Sequence, residues 1–324
     1  MFKNKYKCYL TLPVLLASMA CFLPSIAWAV GTLHAIIVAD VNDQTIGADQ
    51  DVAALQKLTS TIRRATCLGG DDIVIHAGRG KRQAISNTLN QLRVSSDDVV
   101  MFYYSGHGTN PGGGDRWPTL GVEGQSGGNL LKLSSVKDTL QRKNPRLLIT
   151  IADACNNISG ARHERGRREL DQPAGFKKLF LGYKGTIIAS SSIPGQYSFG
   201  DPQDGGLFTK QFLEGLNQVQ VSSNPDWQAV MNAAKKVIPV NHPQKKQQPH
   251  SKVNVVAIGG RRDNNNQWSC PTGPAQGAIG IPTKPPSSSD SPTSYPSCGD
   301  GLKRKPGTNQ ECCSSGGTLH CFND

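Results

Sequence analysis

FYYSGHG at residues 102–108 and LLITIADACNN at residues 147–157 decide the fold. Each closes a short apolar run, Val99 to Tyr104 and Leu147 to Ala152, that stops at a turn of small residues and presents one reactive side chain, His107 or Cys155. Runs of this length bounded by turn signals read as buried strands. In an open parallel sheet the ligand crevice lies beyond the carboxyl ends of the strands. An imidazole at one such end and a thiol at another point to a cysteine nucleophile with a histidine acid/base.

Either residue alone would carry little, because a lone Cys after a buried strand is usually inert core and a lone His beside Gly is usually a turn residue. The pairing tips the balance. Gly106 and Gly108 flank His107, and Ala154 precedes Cys155. Glycine on both sides of the histidine lets the backbone approach a substrate closely and donate an amide.

Working outward, His34 to Ala39 is a compact apolar strand, followed by Val52, Leu55, Leu58 and Ile62 at helical spacing. Ile73 to Ile75 is the next strand, and Ile85, Leu89 and Leu92 give the next helix an apolar face. After the His107 strand, a helix opens at Ser134 or Ser135 with Val136 and Leu140 turned inward. Thr186 to Ala189 and Val253 to Ile258 are the fifth and sixth strands, with helices over Leu207 to Leu216 and Trp227 to Val237 between them. This alternation predicts an α/β protein: a doubly wound, mostly parallel six-stranded sheet with helices on both faces.

The flanks differ from this core. Lys3, Lys5 and Lys7, an apolar run from Tyr9 to Ala27 and the small-x-small triplet Ala27-Trp28-Ala29 predict a signal peptide over residues 1–29, and hence a secreted or periplasmic protein. No second apolar run is long enough to span a bilayer. The net charge is +11, three less without that leader, but no aromatic-basic alternation accompanies it, which argues against nucleic acid as a partner. Residues 30–260 form the catalytic domain, 261–296 a Pro/Ser/Asn-rich linker, and 297–324 a small Cys-rich module. Setting aside the leader and Cys155, an even set remains: Cys67, Cys270, Cys298, Cys312, Cys313 and Cys321. In an oxidising compartment such a set suggests disulfides of undetermined connectivity.

SGHG after a Tyr-rich strand, with DAC after the next long strand, resembles the caspase-like cysteine peptidases, nearer to metacaspases and their bacterial relatives than to animal caspases. The resemblance runs from about Leu33 to about Gly259 and implies six strands and five helices. It departs at Asn156 and Asn157, where metacaspases place a His-Ser-Gly run. It implies that His107 protonates the leaving amine and that the backbone amides of Cys155 and Gly108 form the oxyanion hole. Asp153 would line the pocket for the residue before the cut, with Ser105 beside it and Asp40 and Asp43 as weaker additions. A buried carboxylate beside a small hydroxyl suits Arg, which pairs bidentately, and also Lys. The plainer reading has Asp153 capping the turn that follows it. Ser190 and Ser191 fall where relatives lay an extended substrate along a strand edge.

Between the fourth and fifth strands lies ARHERGRREL, residues 161–170, a charged stretch that reads as an exposed loop. Caspase relatives are often cut in this connection, so Arg162, Arg165, Arg167 and Arg168 are candidate processing sites for an enzyme preferring basic residues. The expected partner is thus a polypeptide with a basic residue before the cut. Two other functions compete: a caspase-fold binding protein without turnover, and a serine hydrolase using Ser126 in GQSGG. No cofactor is called for. Asp40 to Asp51 resembles a calcium loop, but Gly47 is two places late and Asp51 replaces the final Glu, so no metal site is assigned.

Overall fold

The computed structural model describes residues 31–123, 131–156, 174–239 and 246–258, and the backbone of residues 303–304, 310–315 and 318–323. The chain divides into two units, Met1–Thr272 and Gly273–Asp324. The first holds a six-stranded sheet of β1 (Leu33–Ala39), β2 (Asp72–His76), β3 (Val99–Ser105), β4 (Leu147–Asp153), β5 (Tyr183–Ser190) and β6 (His250–Ala257). In space the order is β6-β5-β4-β3-β1-β2. Every pairing is parallel except that of β6 with β5. The expected fold class is the observed one.

Among the described residues six helices cover the sheet: α1 (Ala48–Thr66), α2 (Lys81–Gln91), α3 (Leu133–Gln141), α4 (Ala174–Leu181), α5 (Leu207–Gln220) and α6 (Trp227–Ala234). Because successive strand residues point to opposite faces, Met101 and Tyr103 of β3 pack with α1, α4, α5 and α6, whereas Val100, Phe102 and Tyr104 pack with α2 and α3. Two apolar layers therefore enclose the central strands, which is why β3 and β4 are apolar without alternation. On the first face Trp227 is fully buried, meets Phe180 edge-on at 5.2 Å, and donates its indole N–H to the Leu179 carbonyl at 2.7 Å.

Two differences from expectation have physical causes. Helix α4 is one helix more than expected; its buried Phe176, Leu179 and Phe180 make a face of barely two turns, too short to stand out beside the Arg-rich stretch before it. Strand β6 begins at His250, three residues early. It is an edge strand with one half-exposed face, so His250, Ser251 and Lys252 read as polar although they pair with Ser190, Ala189 and Ile188.

In the second unit Lys303–Arg304, Gln310–Ser315 and Thr318–Asn323 form an antiparallel three-stranded sheet, with Cys312 opposite Cys321 in its register.

Candidate active site

The site is assembled where β3 and β4 end. Ser105 and Asp153 are register partners, so His107 and Cys155 each lie two residues beyond an aligned pair on neighbouring strands. The Gly106 amide donates to the Asp153 carbonyl at 3.1 Å, tying the two turns together. The His107 carbonyl accepts from the Tyr104 hydroxyl at 2.7 Å and from the Gly121 amide at 2.8 Å. Gly108 packs directly on the nucleophile turn: a Cβ there would lie 2.5 Å from the Cys155 carbonyl oxygen and 2.7 Å from the Ala154 Cβ. Only glycine allows this approach, which brings the Gly108 and Cys155 backbones side by side.

Cys155 is buried. Its thiol donates to the Ser198 carbonyl at 3.5 Å and accepts from the Ser198 amide at 3.3 Å. The turn before it is stapled from β5. The Ser191 hydroxyl bonds both the amide and the carbonyl of Ala154 at 2.9 Å, and Ser192 reaches the same carbonyl at 3.4 Å. Ser190, Ser191 and Ser192 are fully buried, behind the nucleophile turn. Asn156 is equally buried. Its Nδ2 donates to the carbonyls of Arg116 and Ser192 at 3.0 and 2.9 Å, and its Oδ1 accepts from Asn110 at 2.8 Å. The departure from the metacaspase pattern is thus a residue that joins three loops around the site.

Below the nucleophile, on the face shared with α1 and α5, sit two carboxylates. Asp153 accepts from the Ser198 hydroxyl at 2.6 Å through Oδ1, and from the Thr209 amide and hydroxyl at 2.9 and 2.7 Å through Oδ2. Asp51, in the first turn of α1, accepts from the Gly206 amide at 2.9 Å and the Ser105 hydroxyl at 2.5 Å. Tyr103 bonds Thr209 from beneath. Every one of these donors is neutral. Gly206 and Thr209 belong to the N-terminus of α5, whose positive dipole end favours carboxylates there. Burial nevertheless raises both acids, Asp51 well above the ordinary range because the Asp153 charge adds to it. Among the described residues these hydrogen bonds to the two carboxylates come from hydroxyls and amides.

Asp40 and Asp43 stand elsewhere. Asp43 Oδ2 lies 2.8 Å from His107 Nε2, while its Oδ1 accepts the amide and hydroxyl of Thr45 at 2.9 and 2.5 Å. Burial acts to raise Asp43, but the Thr45 and His107 hydrogen bonds outweigh it and leave the acid lowered. Asp40 is buried, and that burial raises it despite the nearby His107 charge.

Asn157, Ser126 and the arginines 162, 165, 167 and 168 lie outside the described residues. Sequence reasoning missed Asp51, Ser198, Gly206 and Thr209. A signal for Asp51 existed: with Leu55, Leu58 and Ile62 it forms one helical stripe, and an acid on the apolar face of a helix needs a reason. Among the described residues no cluster of three or more His, Cys, Asp or Glu is arranged to hold a metal, and no helix is long and apolar enough to cross a membrane.

No curated protein matches the chain. Among solved structures it is similar to caspase-1 from Spodoptera frugiperda, 18% identical over 68% of this chain and 85% of that one, with a TM-score of 0.43. The model of the caspase domain matches residues 33–256, from the first residue of β1 almost to the last of β6. Spanning well over half of the sequence, that match makes this chain a member of the caspase family of peptidases.

Proposed function

We propose that the protein is a cysteine endopeptidase that cleaves after Arg or Lys. The observation that carries the specificity is the Asp51–Asp153 pair, two buried carboxylates served among the described residues by neutral donors beside the Cys155 turn. A guanidinium or ammonium entering this pocket would supply the missing positive charge, and the Ser105 and Ser198 hydroxyls would take up its remaining N–H groups.

The chemistry follows from the strand ends. The Cys155 sulfur attacks the carbonyl carbon of the scissile bond, and the resulting oxyanion is received by the Gly108 and Cys155 amides. His107 takes up the thiol proton and gives a proton to the leaving amine as the C–N bond breaks, and water then hydrolyses the thioester. Outside the pocket, residues 1–29 direct the chain across a membrane and are removed, a reading in keeping with disulfide-bonded Cys67. The enzyme's preference for basic residues would make Arg162, Arg165, Arg167 and Arg168 substrates of its own.

The test is hydrolysis of fluorogenic peptides ending in Arg, Lys or Asp by wild type and Cys155→Ala. Cleavage after Arg or Lys that vanishes in the variant is expected. A folded, reduced wild type that cleaves none of these peptides, or cleaves only after Asp, overturns the reading.

A further inference from the structure

Asp43 belongs to the turn after β1, far in sequence from both reactive residues, yet it is the carboxylate that touches the imidazole. Its two oxygens have separate tasks. Oδ1 is fixed by the Thr45 amide and hydroxyl, which leaves Oδ2 directed at His107 Nε2, 2.8 Å away. The Ile46 amide donates to the Asp43 carbonyl at 3.3 Å and closes the turn. A carboxylate accepts only, so the proton in this contact sits on Nε2 of the imidazole.

We propose that Asp43 is the positioning residue of His107: by holding the Nε2 proton it fixes the ring and its tautomer, and so assigns proton exchange with Cys155 and the leaving amine to Nδ1. The inference rests on the peptidase reading above and adds to it the residue that makes the histidine competent. Among the described residues the ionisable groups around the His107 turn include Asp40 and Asp43 from the turn after β1, Tyr104 on β3, and Cys155, whose backbone lies against Gly108. Asp43 hydrogen-bonds the ring. Asp40 acts on it through charge and is itself raised by burial, whereas the Thr45 and His107 bonds keep Asp43 ionised.

The arrangement makes a prediction that size and fold cannot imitate. In Asp43→Asn the Thr45 amide still needs an acceptor, so the Asn oxygen stays on that side and its Nδ2 faces His107. That NH2 donates to Nε2 and drives the imidazole proton onto Nδ1, the wrong tautomer. Asp43→Ala only removes the partner. The nearly isosteric variant is therefore the worse enzyme.

The experiment uses the full chain as wild type, D43N and D43A, with folding checked by circular dichroism. It reads kcat and KM on the Arg peptide and the His107 tautomer by 15N-histidine NMR assigned with a His107→Gln sample. Expected are a kcat loss of about a hundredfold or more for D43N and about tenfold for D43A with KM little changed. In D43N the His107 ring should change from protonated Nε2 to protonated Nδ1. An unchanged tautomer in D43N overturns the proposal, whether activity is kept or falls with the folded fraction. Should wild type cleave no peptide while the tautomer changes as stated, the positioning role stands and the peptidase reading falls.

Discussion

Asp51 and Asp153 converge on one backbone point: a Cβ placed on Gly206 would lie 2.1 Å from Oδ2 of Asp153 and 3.1 Å from Oδ2 of Asp51. Two carboxylates this close do not both ionise cheaply in a buried site. Asp51 is raised by burial and then by Asp153, so the folded chain holds a proton that the unfolded chain gives up. Stability linked to that proton is complete below about pH 3.9 and is lost as pH rises through the folded value. Asp51→Asn should therefore be more stable than wild type at pH 8 in guanidinium unfolding, with the gap closing toward pH 4. Its cleavage after Arg should fall by roughly a hundredfold or more. A variant less stable at pH 8 would show that hydrogen bonding at this site outweighs the charge.

The same proton must leave when a substrate cation enters. The KM for an Arg peptide should fall as pH rises through the pocket's ionisation, and calorimetric binding of a non-cleavable Arg ligand to Cys155→Ala should release protons to the buffer. A binding enthalpy independent of the buffer's own ionisation enthalpy would count against the linkage.

Gly206→Ala places a methyl between the carboxylates. Overpacking there should cost about 1–3 kcal/mol and reduce kcat/KM for Arg peptides, while the rate at which iodoacetamide modifies Cys155 stays near that of wild type. Loss of alkylation as well would mean that the substitution disturbs the nucleophile turn and not the pocket alone.

Asn156→Ala leaves the Arg116 and Ser192 carbonyls and the Asn110 amide without their partner. Unsatisfied buried groups of this kind should lower stability by about 2–4 kcal/mol in denaturant titration. A change within about half a kcal/mol would refute the loop-joining role.

His250 stacks on Trp117 at 4.4 Å, 12° from parallel, and burial followed by the Arg116 charge lowers its pKa to about 4. A histidine lowered in the folded state contributes stability that is complete above about pH 6.5 and is lost as pH falls toward 4. Wild type should lose up to about 3 kcal/mol over that range relative to His250→Gln. Parallel curves would mean that the imidazole titrates freely.

The sheet was legible because β1, β3 and β4 are unbroken apolar runs and need no partner to be recognised. His107 and Cys155 were legible because each is the first reactive group after such a run. The pocket was not. Asp51 pairs with Asp153 across α1, β4 and α5, and its neighbours in sequence, Asp40 and Asp43, draw attention to a single acidic stretch that the fold divides between two places. Ser191 misleads for a similar reason: a hydroxyl at a strand end suggests a surface until β5 is set beside the Ala154 peptide. Sequence pattern reports which face a residue takes along its own element, but not which element covers that face.

Strands β4 and β5 are parallel neighbours whose connection passes through residues 157–173, and the site is divided at that seam. Asp51, Ser105, His107, Asp153 and Cys155 precede it; Ser198, Gly206 and Thr209 follow it. Severed there, the chain would yield two polypeptides, neither with a complete pocket, joined by the paired strands β4 and β5, a common apolar layer and the carboxylates themselves. The acids proposed to recognise a substrate would then also serve as a clasp between the pieces, and recognition would be a property of the reassembled pair.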